Sequence, residues 1–194
     1  MYVRDAKNRD EVWLLDHIEE MGLDGQAFRS RDYVIAMDEH ENERAGFGRV
    51  RIHKTDNGDV CELTSIGVLP EWRGQGVGAH VVERLVTTAR DKGYDTVYAL
   101  TSEHEYLDQF GFERIEPSRL PGVLQDRLTT KQEQLNPDAV PVRIDPDRFQ
   151  MPGRLREAFK AAYPEPEEET EPEEGPEDFG IDPDEATYKY DTGD

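Results

Sequence analysis

The sequence predicts an α/β fold in which a mixed, mostly antiparallel sheet is flanked by helices. Three observations carry this prediction. Apolar and polar residues alternate through residues 32–68 in three runs joined by polar turns, which indicates an antiparallel meander. A glycine-rich loop and a long amphipathic helix follow the meander. A further strand follows that helix, so the strands on either side of the helix can pair in parallel.

The elements before the glycine loop follow from apolar periodicity. Tyr2 to Arg4 form a short strand, and a helix opens at Asn8 to Glu11. We expect this helix to bury one apolar face made of Val12, Leu15, Ile18 and Met21. The meander strands are 32–37, 46–52 and 60–68, and the last two are joined by a turn centred on Asn57-Gly58.

The elements after the loop complete the sheet and its helical cover. The amphipathic helix begins at Val77 and ends at Gly93. We expect 139–144 to be an edge strand, where Pro141 is tolerated because it lacks a backbone donor. The other elements are a strand at 96–100, a short helix at 103–110, a strand at 112–115 and helices at 120–134 and 151–162.

Length and charge predict one domain with an acidic extension. At 194 residues, we expect a single folded domain over 1–163. The segment 164–194 carries 14 acidic residues against Lys189, and its proline and glutamate content predicts a disordered, solubilising tail. Tyr188 and Tyr190 near its end could dock weakly at some other surface, but the solubilising tail is favoured.

The charge balance and the cysteine content indicate which partners and which cellular compartment to expect. The net charge of −21, with 17 Arg but only 6 Lys, resembles the cytoplasmic proteins of extreme halophiles. A field of this sign opposes nucleic acid and anionic membranes, so neither is expected as a partner. A single cysteine, Cys61, and the lack of a signal-peptide pattern favour a cytoplasmic location.

The glycine-rich loop carries the strongest functional signal. Arg73-Gly74-Gln75-Gly76-Val77-Gly78 lies between a strand and a helix, and its glycines allow the backbone to approach a ligand closely. The free N–H groups of the helix start then favour a phosphate. Gly74-x-Gly76-x-x-Ala79 also fits a dinucleotide fingerprint. We reject that reading because five residues separate the strand from the glycines and a meander precedes them.

The spacing Arg73-x-x-Gly76-x-Gly78 resembles the acyl-CoA pyrophosphate loop of the GNAT N-acetyltransferase superfamily. Phe110-Gly111-Phe112, one strand and one short helix later, strengthens this resemblance. The resemblance implies the GNAT acyl-CoA N-acyltransferase fold, in which the central parallel pair splays apart. Cys61-Glu62-Leu63 and Leu100-Thr101-Ser102 resemble amino-acid acetyltransferases of the N-acetylglutamate synthase type.

The resemblance also implies acetyl-CoA as co-substrate, without a metal. The backbone of Ile66, Gly67 and Val68 would hold the pantetheine arm. The loop residues Arg73, Gly74, Gln75, Gly76, Val77 and Gly78 would hold the pyrophosphate. A side chain at Gly76 or Gly78 would push the phosphates off the loop amides.

Acetyl transfer to an amine needs a base, a group that polarises the thioester carbonyl and a route for the thiolate to leave. The resemblance assigns the base to Glu62, with a pKa raised by burial, and the polarising group to the N–H of Val68. The alternative for Glu62 is a strand-end carboxylate that faces solvent. Leu107 occupies the position of the family's acid tyrosine, so Tyr106 is the candidate acid. Tyr106 could instead pack in the core, and a thiolate can also leave without a dedicated acid.

The sequence therefore predicts an acetyl-CoA-dependent N-acetyltransferase that transfers the acetyl group directly to a primary amine. A small amine or an amino acid is favoured as acceptor, and a protein N-terminus or a lysine is an alternative. A second class of function stays open, in which a catalytically weak GNAT fold binds acyl-CoA as a regulatory or interaction module. Both a monomer and a homodimer are compatible with the sequence.

Overall fold

The computed structural model describes residues 1–166. A seven-stranded sheet has the order β1-β2-β3-β4-β5-β7-β6. The predicted acidic tail, 164–194, lies outside the described residues from 167 onward. The strands are β1 (Tyr2–Asp5), β2 (Tyr33–Met37), β3 (Arg44–Thr55), β4 (Gly58–Val68), β5 (Val97–Thr101), β6 (Glu113–Arg114) and β7 (Val140–Ile144). The α-helices are α1 (Glu11–Glu20), α2 (Val77–Asp91), α3 (His104–Asp108), α4 (Gly122–Gln134) and α5 (Gly153–Lys160).

The sheet confirms the predicted α/β fold class. All neighbouring strands are antiparallel except β4 and β5, which pair in parallel from Cys61↔Val97 to Leu63↔Ala99. Helix α2 is the crossover between these two strands, as a parallel connection requires. Its apolar face packs on the sheet and forms the centre of the largest apolar cluster. Within residues 1–166, no helix has the length and apolar character needed to cross a membrane.

The predicted apolar face of α1 is confirmed at Ile18, which is buried, and at Met21, which packs against the same cluster, but it is wrong at Val12 and Leu15. Val12 is 70% exposed and Leu15 is 41% exposed, whereas Leu14 and Ile18 are buried. Leu14 and Ile18 are four residues apart, and they share a cluster with Phe47 of β3. The contacting face therefore begins at Leu14 rather than at Val12 or Leu15. The side chains that contact the sheet are therefore offset around the helix.

The predicted edge position of β7 is also wrong, because β7 lies between β5 and β6. The short strand β6 covers only Glu113–Arg114, less than the predicted 112–115. Pro141 is tolerated inside the sheet because its backbone polar groups point toward β6. Its carbonyl accepts a bond of 3.1 Å from the N–H of Ile115, just past the end of β6. Proline has no N–H, and this position of Pro141 faces β6, whose pairing with β7 ends at Val142, so no hydrogen bond of the sheet is lost.

Candidate active site

A cleft opens where the two central parallel strands diverge. The parallel pairing ends at Leu63↔Ala99, and the rest of β4 and β5 border a cavity of about 810 Å³. The register of β4 against β3 slips by one residue between Phe47 and Arg49, which is a β-bulge. Ser65 in this bulge adopts φ +52°, a conformation rare for a non-glycine residue. Its hydroxyl donates a hydrogen bond to the carbonyl of Asp24 and so fixes the loop that follows α1.

The glycine loop borders one end of the cleft and runs into α2. Gly74 and Gly76 have φ of +73° and +77°, so both need glycine. A Cβ on Gly78 would lie 3.3 Å from Val68 Cγ2 and 3.5 Å from the Tyr106 hydroxyl, within the cleft. Gly78 therefore keeps the cleft open at the start of α2, where free N–H groups favour an anion. The predicted reason for Gly76 is wrong, because its Cβ would meet the Leu155 carbonyl of α5, at 2.5 Å.

Helix α5 and the residues after it brace this loop. Gln75 exchanges two hydrogen bonds with the backbone of Tyr163, of 2.8 and 3.0 Å. The N–H of Glu165 donates to the carbonyl of Glu71 at 2.8 Å. His80 of α2 stacks on Phe159 with 3.9 Å between ring centroids. The sequence predicted this helix but not its contact with the loop.

Three cations line the cleft, which is notable in a chain of net charge −21. Arg73 stands on the glycine loop, and its Nε donates to the Val68 carbonyl at 3.1 Å. Arg154 projects from α5, and its Nη2 donates to Gln109 Oε1 at 2.6 Å. Lys131 of α4 lies at the far end. Arg154 and Lys131 were missed from the sequence because neither belongs to a motif.

Most of the predicted cofactor-binding residues line this cleft. Gln75 instead turns toward Tyr163, and Gly67 faces α1. A Cβ on Gly67 would lie 2.8 Å from both Met21 Sδ and Phe47 Cζ, so glycine there permits α1 to pack closely. The predicted residues that line the cleft are Ile66, Val68, Arg73, Gly74, Gly76, Val77 and Gly78.

Glu62 lies outside the cleft in a buried ion-pair network. It is 0% exposed, which contradicts the solvent-facing alternative. Its carboxylate accepts bonds from His53 at 2.8 Å and from Arg127 at 2.7 and 2.9 Å. Burial alone would raise the pKa of Glu62, but the bonds from His53 and Arg127 outweigh it and hold the pKa below its usual value. The predicted raised pKa is therefore wrong.

The end of the cleft opposite the glycine loop offers groups for a polar acceptor. Thr64 is buried, and its hydroxyl has no hydrogen-bond partner within the described chain. Lys131 Nζ donates to the Leu100 carbonyl at 2.8 Å. Burial lowers the pKa of Lys131, against the raising effect of the charges on Glu62 and Asp24. Arg127 joins Asp24 to Glu62, so the network behind the strand is fixed to the loop at this end.

Tyr106 borders the cleft and does not pack fully in the core. It is 39% exposed and lies edge-on to Phe110. Burial raises the pKa of its phenol, and the charge of Arg154 opposes that rise. The phenol therefore keeps its proton at neutral pH. Leu107, at the position of the family's tyrosine, is buried.

The fold and the cleft define a class of α/β protein built around a splayed parallel strand pair. The model of the acetyltransferase (GNAT) family matches residues 3–112, which is more than half of the chain. The chain belongs to this family.

Individual relatives are similar over shorter stretches. An amino-acid acetyltransferase of Pseudomonas fluorescens is 32% identical over 127 residues, 61% of this chain and 29% of the relative. One of Mycobacterium tuberculosis is 33% identical over 70 residues, 36% of this chain and 40% of the relative. The chain thus spans less than half the length of each of these two relatives.

Two solved structures show the same fold. N-acetylglutamate synthase from Neisseria gonorrhoeae, complexed with coenzyme A and N-acetyl-glutamate, superposes with a TM-score of 0.61 at 16% identity. That match covers 74% of this chain and 34% of the other. Rv2747 from Mycobacterium tuberculosis, in complex with CoA and NLQ, gives 0.60 at 19% identity over 75% and 99% of the two chains.

Proposed function

We propose that this chain transfers the acetyl group of acetyl-CoA directly to the amine of a small molecule, with an amino acid as the favoured acceptor. The observation that carries the proposal is the continuous cleft between the diverging strands. It joins a phosphate-type loop at one end to Lys131 and the free Thr64 hydroxyl at the other. The names of the amino-acid acetyltransferase relatives and the bound CoA in two structural neighbours support it.

The donor end fits acetyl-CoA. The loop glycines leave room for the pyrophosphate, and Arg73 and Arg154 supply positive charge beside it. The N–H of Leu69 donates to the carbonyl of Ala45 in β3. Because successive N–H groups of an extended chain point to opposite sides, the N–H of Val68 points into the cleft. Acetyl-CoA supplies a thioester, and the Val68 N–H is placed to polarise its carbonyl.

The acceptor end fits an amino acid better than a plain amine. Lys131 provides a cation for an α-carboxylate, and the Thr64 hydroxyl can accept a hydrogen bond from the acceptor. Both groups line the cleft beside the diverging part of β4. A peptide N-terminus lacks that free α-carboxylate and would leave Lys131 without a partner.

The neutral amine attacks the thioester carbonyl, the C–S bond breaks, and the proton that the amine loses passes through water in the open cleft to the CoA thiolate. We assign Tyr106 to donate a hydrogen bond to the departing thiolate, because its hydroxyl lies beside Gly78 at the strand opening. Glu62 is charged and fully engaged, so its role here is to position Arg127 and the loop at Asp24. The variant Glu62→Gln distinguishes this positioning role from the predicted role of general base. Loss of the acidic limb of the kcat/KM pH profile would restore Glu62 as base.

Thermal unfolding with acetyl-CoA, followed by an acceptor screen, tests the proposed function. Acetyl-CoA at 100 times its Kd stabilises the fold by about 2.7 kcal/mol. Free amino acids should be acetylated, and the matching amino-acid amides should react at least tenfold more slowly. Lys131→Met should remove that preference, with Lys92→Met as the control outside the cleft. Stabilisation by acetyl-CoA without turnover of any amine would favour the regulatory module, which the buried Leu107 also supports.

A further inference from the structure

A second cleft, which we call the basic cleft, reverses the charge balance of the chain. It has a volume of about 620 Å³ and lies at the far end of β3 from the glycine loop. The whole chain has 23 basic and 44 acidic residues, yet only Asp32 and Asp59 are acidic among the 13 residues lining this cleft. Six are basic: Arg29, Arg31, Arg49, Arg51, Lys54 and Lys92.

One half-buried cation in the basic cleft, Arg51, is without an ion pair in the described chain. Its Nη1 is buried without a hydrogen-bond partner there. Burial lowers the pKa of Arg51 and the charges of Arg127 and Arg49 lower it further, whereas the charges of Glu62 and Asp24 oppose this. Arg51 is half-buried and faces Glu62 across the β3–β4 pair, but it makes no hydrogen bond to that carboxylate. The cleft therefore carries an excess of positive charge that an acidic partner would complement.

A free strand edge borders the basic cleft. The last pair between β2 and β3 is Tyr33↔Arg49, but β3 continues to Thr55. In the described chain, residues 51–55 make backbone bonds only to β4. Arg51 and Lys54 both line the cleft, although they point to opposite faces of the strand. The cleft therefore wraps around the edge, which suits an extended peptide better than a small anion.

The chain itself holds a matching peptide. Residues 167–194 contain 13 acidic residues and one lysine. Within them, 185–191 reads Glu-Ala-Thr-Tyr-Lys-Tyr-Asp, in which threonine and tyrosine favour strands and acidic residues flank them. We propose that residues 167–194 of the same chain dock in the basic cleft and that 185–191 add a strand to the free edge of β3.

The length of the segment permits this docking. The bond from Glu165 to Glu71 fixes the start of the segment just beyond the Val68 end of β4. The basic cleft lies near the Gly58 end, about 33 Å away at the rise of a β-strand. The 20 residues from Pro166 to Glu185 span up to about 60 Å when extended.

Amide exchange by NMR on the full chain tests the proposal, in the lowest KCl concentration that keeps the protein folded. The amides of residues 51–55 that point away from β4 should exchange at least tenfold more slowly than in the charge-reversed variant Arg29→Glu/Arg31→Glu. Both arginines are exposed and outside any ion pair of the described chain, so the variant should fold. The control Arg114→Glu/Arg119→Glu has the same charge change on exposed residues elsewhere and should keep the protection.

Two further variants test whether residues 185–191 form the added strand and whether the docked segment belongs to the same chain or to a second chain. Tyr188→Ser/Tyr190→Ser keeps the acidic charge and should also lose the protection, whereas retained protection would overturn the added strand. A spin label on Asp184→Cys is selective, because burial raises the pKa of the one native thiol, Cys61, to about 12. The label should broaden β3 signals of its own chain. Broadening only of a second, unlabelled chain, or equal exchange in all variants, would overturn the proposal.

Discussion

A pair of glycine substitutions isolates the contact between the glycine loop and α5. Gly74 and Gly76 have nearly the same positive φ, +73° and +77°. A Cβ on Gly74 meets nothing within 4 Å, whereas a Cβ on Gly76 would lie 2.5 Å from the Leu155 carbonyl oxygen. Gly74→Ala is therefore a matched control for Gly76→Ala, because the two differ in packing and share the backbone cost.

The expected loss of unfolding free energy is the sum of the backbone cost and the packing cost. Alanine in the left-handed region costs about 1–2 kcal/mol, which applies to both variants. Overpacking against a backbone carbonyl adds about 1–3 kcal/mol at Gly76 alone. The carbonyl belongs to α5, so relief of the clash must move the helix and loosen the stack of His80 on Phe159. Gly76→Ala should thus lose the larger amount of unfolding free energy.

Urea unfolding of both variants at matched salt measures the difference in their unfolding free energy. The KM for acetyl-CoA reports on the conformation of the glycine loop. Gly76→Ala should raise this KM more than Gly74→Ala, because α5 also places Arg154 beside the loop. Equal losses of unfolding free energy, within about 0.5 kcal/mol, would refute the reasoning, since the linear extrapolation resolves larger differences.

Three other substitutions test the cleft and the network behind it. Arg154→Gln should raise the KM for acetyl-CoA about threefold to tenfold, as expected for an exposed charged contact, while the KM for S-acetylpantetheine, which lacks phosphate, stays unchanged. Arg127→Gln should lower the unfolding free energy at pH 7 by about 3–5 kcal/mol, because it leaves Glu62 charged and buried without its cation. The difference in unfolding free energy between the two proteins should shrink as the pH falls toward 4. In the native protein the pKa of Glu62 is lowered, so acidification destabilises the fold. In the variant, folding favours the protonated form of Glu62, so acidification stabilises the fold. Tyr106→Phe should lower kcat at least tenfold if the phenol assists the thiolate.

Each of these predictions has an outcome that contradicts it. An equal rise in KM for both thioesters would show that Arg154 does not contact phosphate. Arg148→Gln, at an exposed residue outside the cleft, controls for a general loss of charge. A pH-independent difference between the native protein and Arg127→Gln would mean that Glu62 does not titrate in this range. An unchanged kcat for Tyr106→Phe would show that the thiolate leaves without an acid.

The local elements could be predicted from the sequence because each has a local cause. The glycine loop is fixed by positive φ at Gly74 and Gly76, and the Asn57-Gly58 turn sets the β3–β4 hairpin. The position of β7 inside the sheet depends on strand pairing between distant segments, which Pro141 alone could not indicate. The lowered pKa of Glu62 depends on Arg127, 65 residues away in the chain. Such long-range partners leave no periodicity in the sequence.

The brace on the glycine loop also bears on how the protein is made. Gln75 and Tyr163 are 88 residues apart, so the loop leaves the ribosome long before the segment that holds it. The family match ends at residue 112, and a nascent chain of that length lacks α5 entirely. Contacts of such separation form late, because their loop-closure entropy must be overcome first. The cofactor end of the cleft thus matures only after α5 and Tyr163 have left the ribosome.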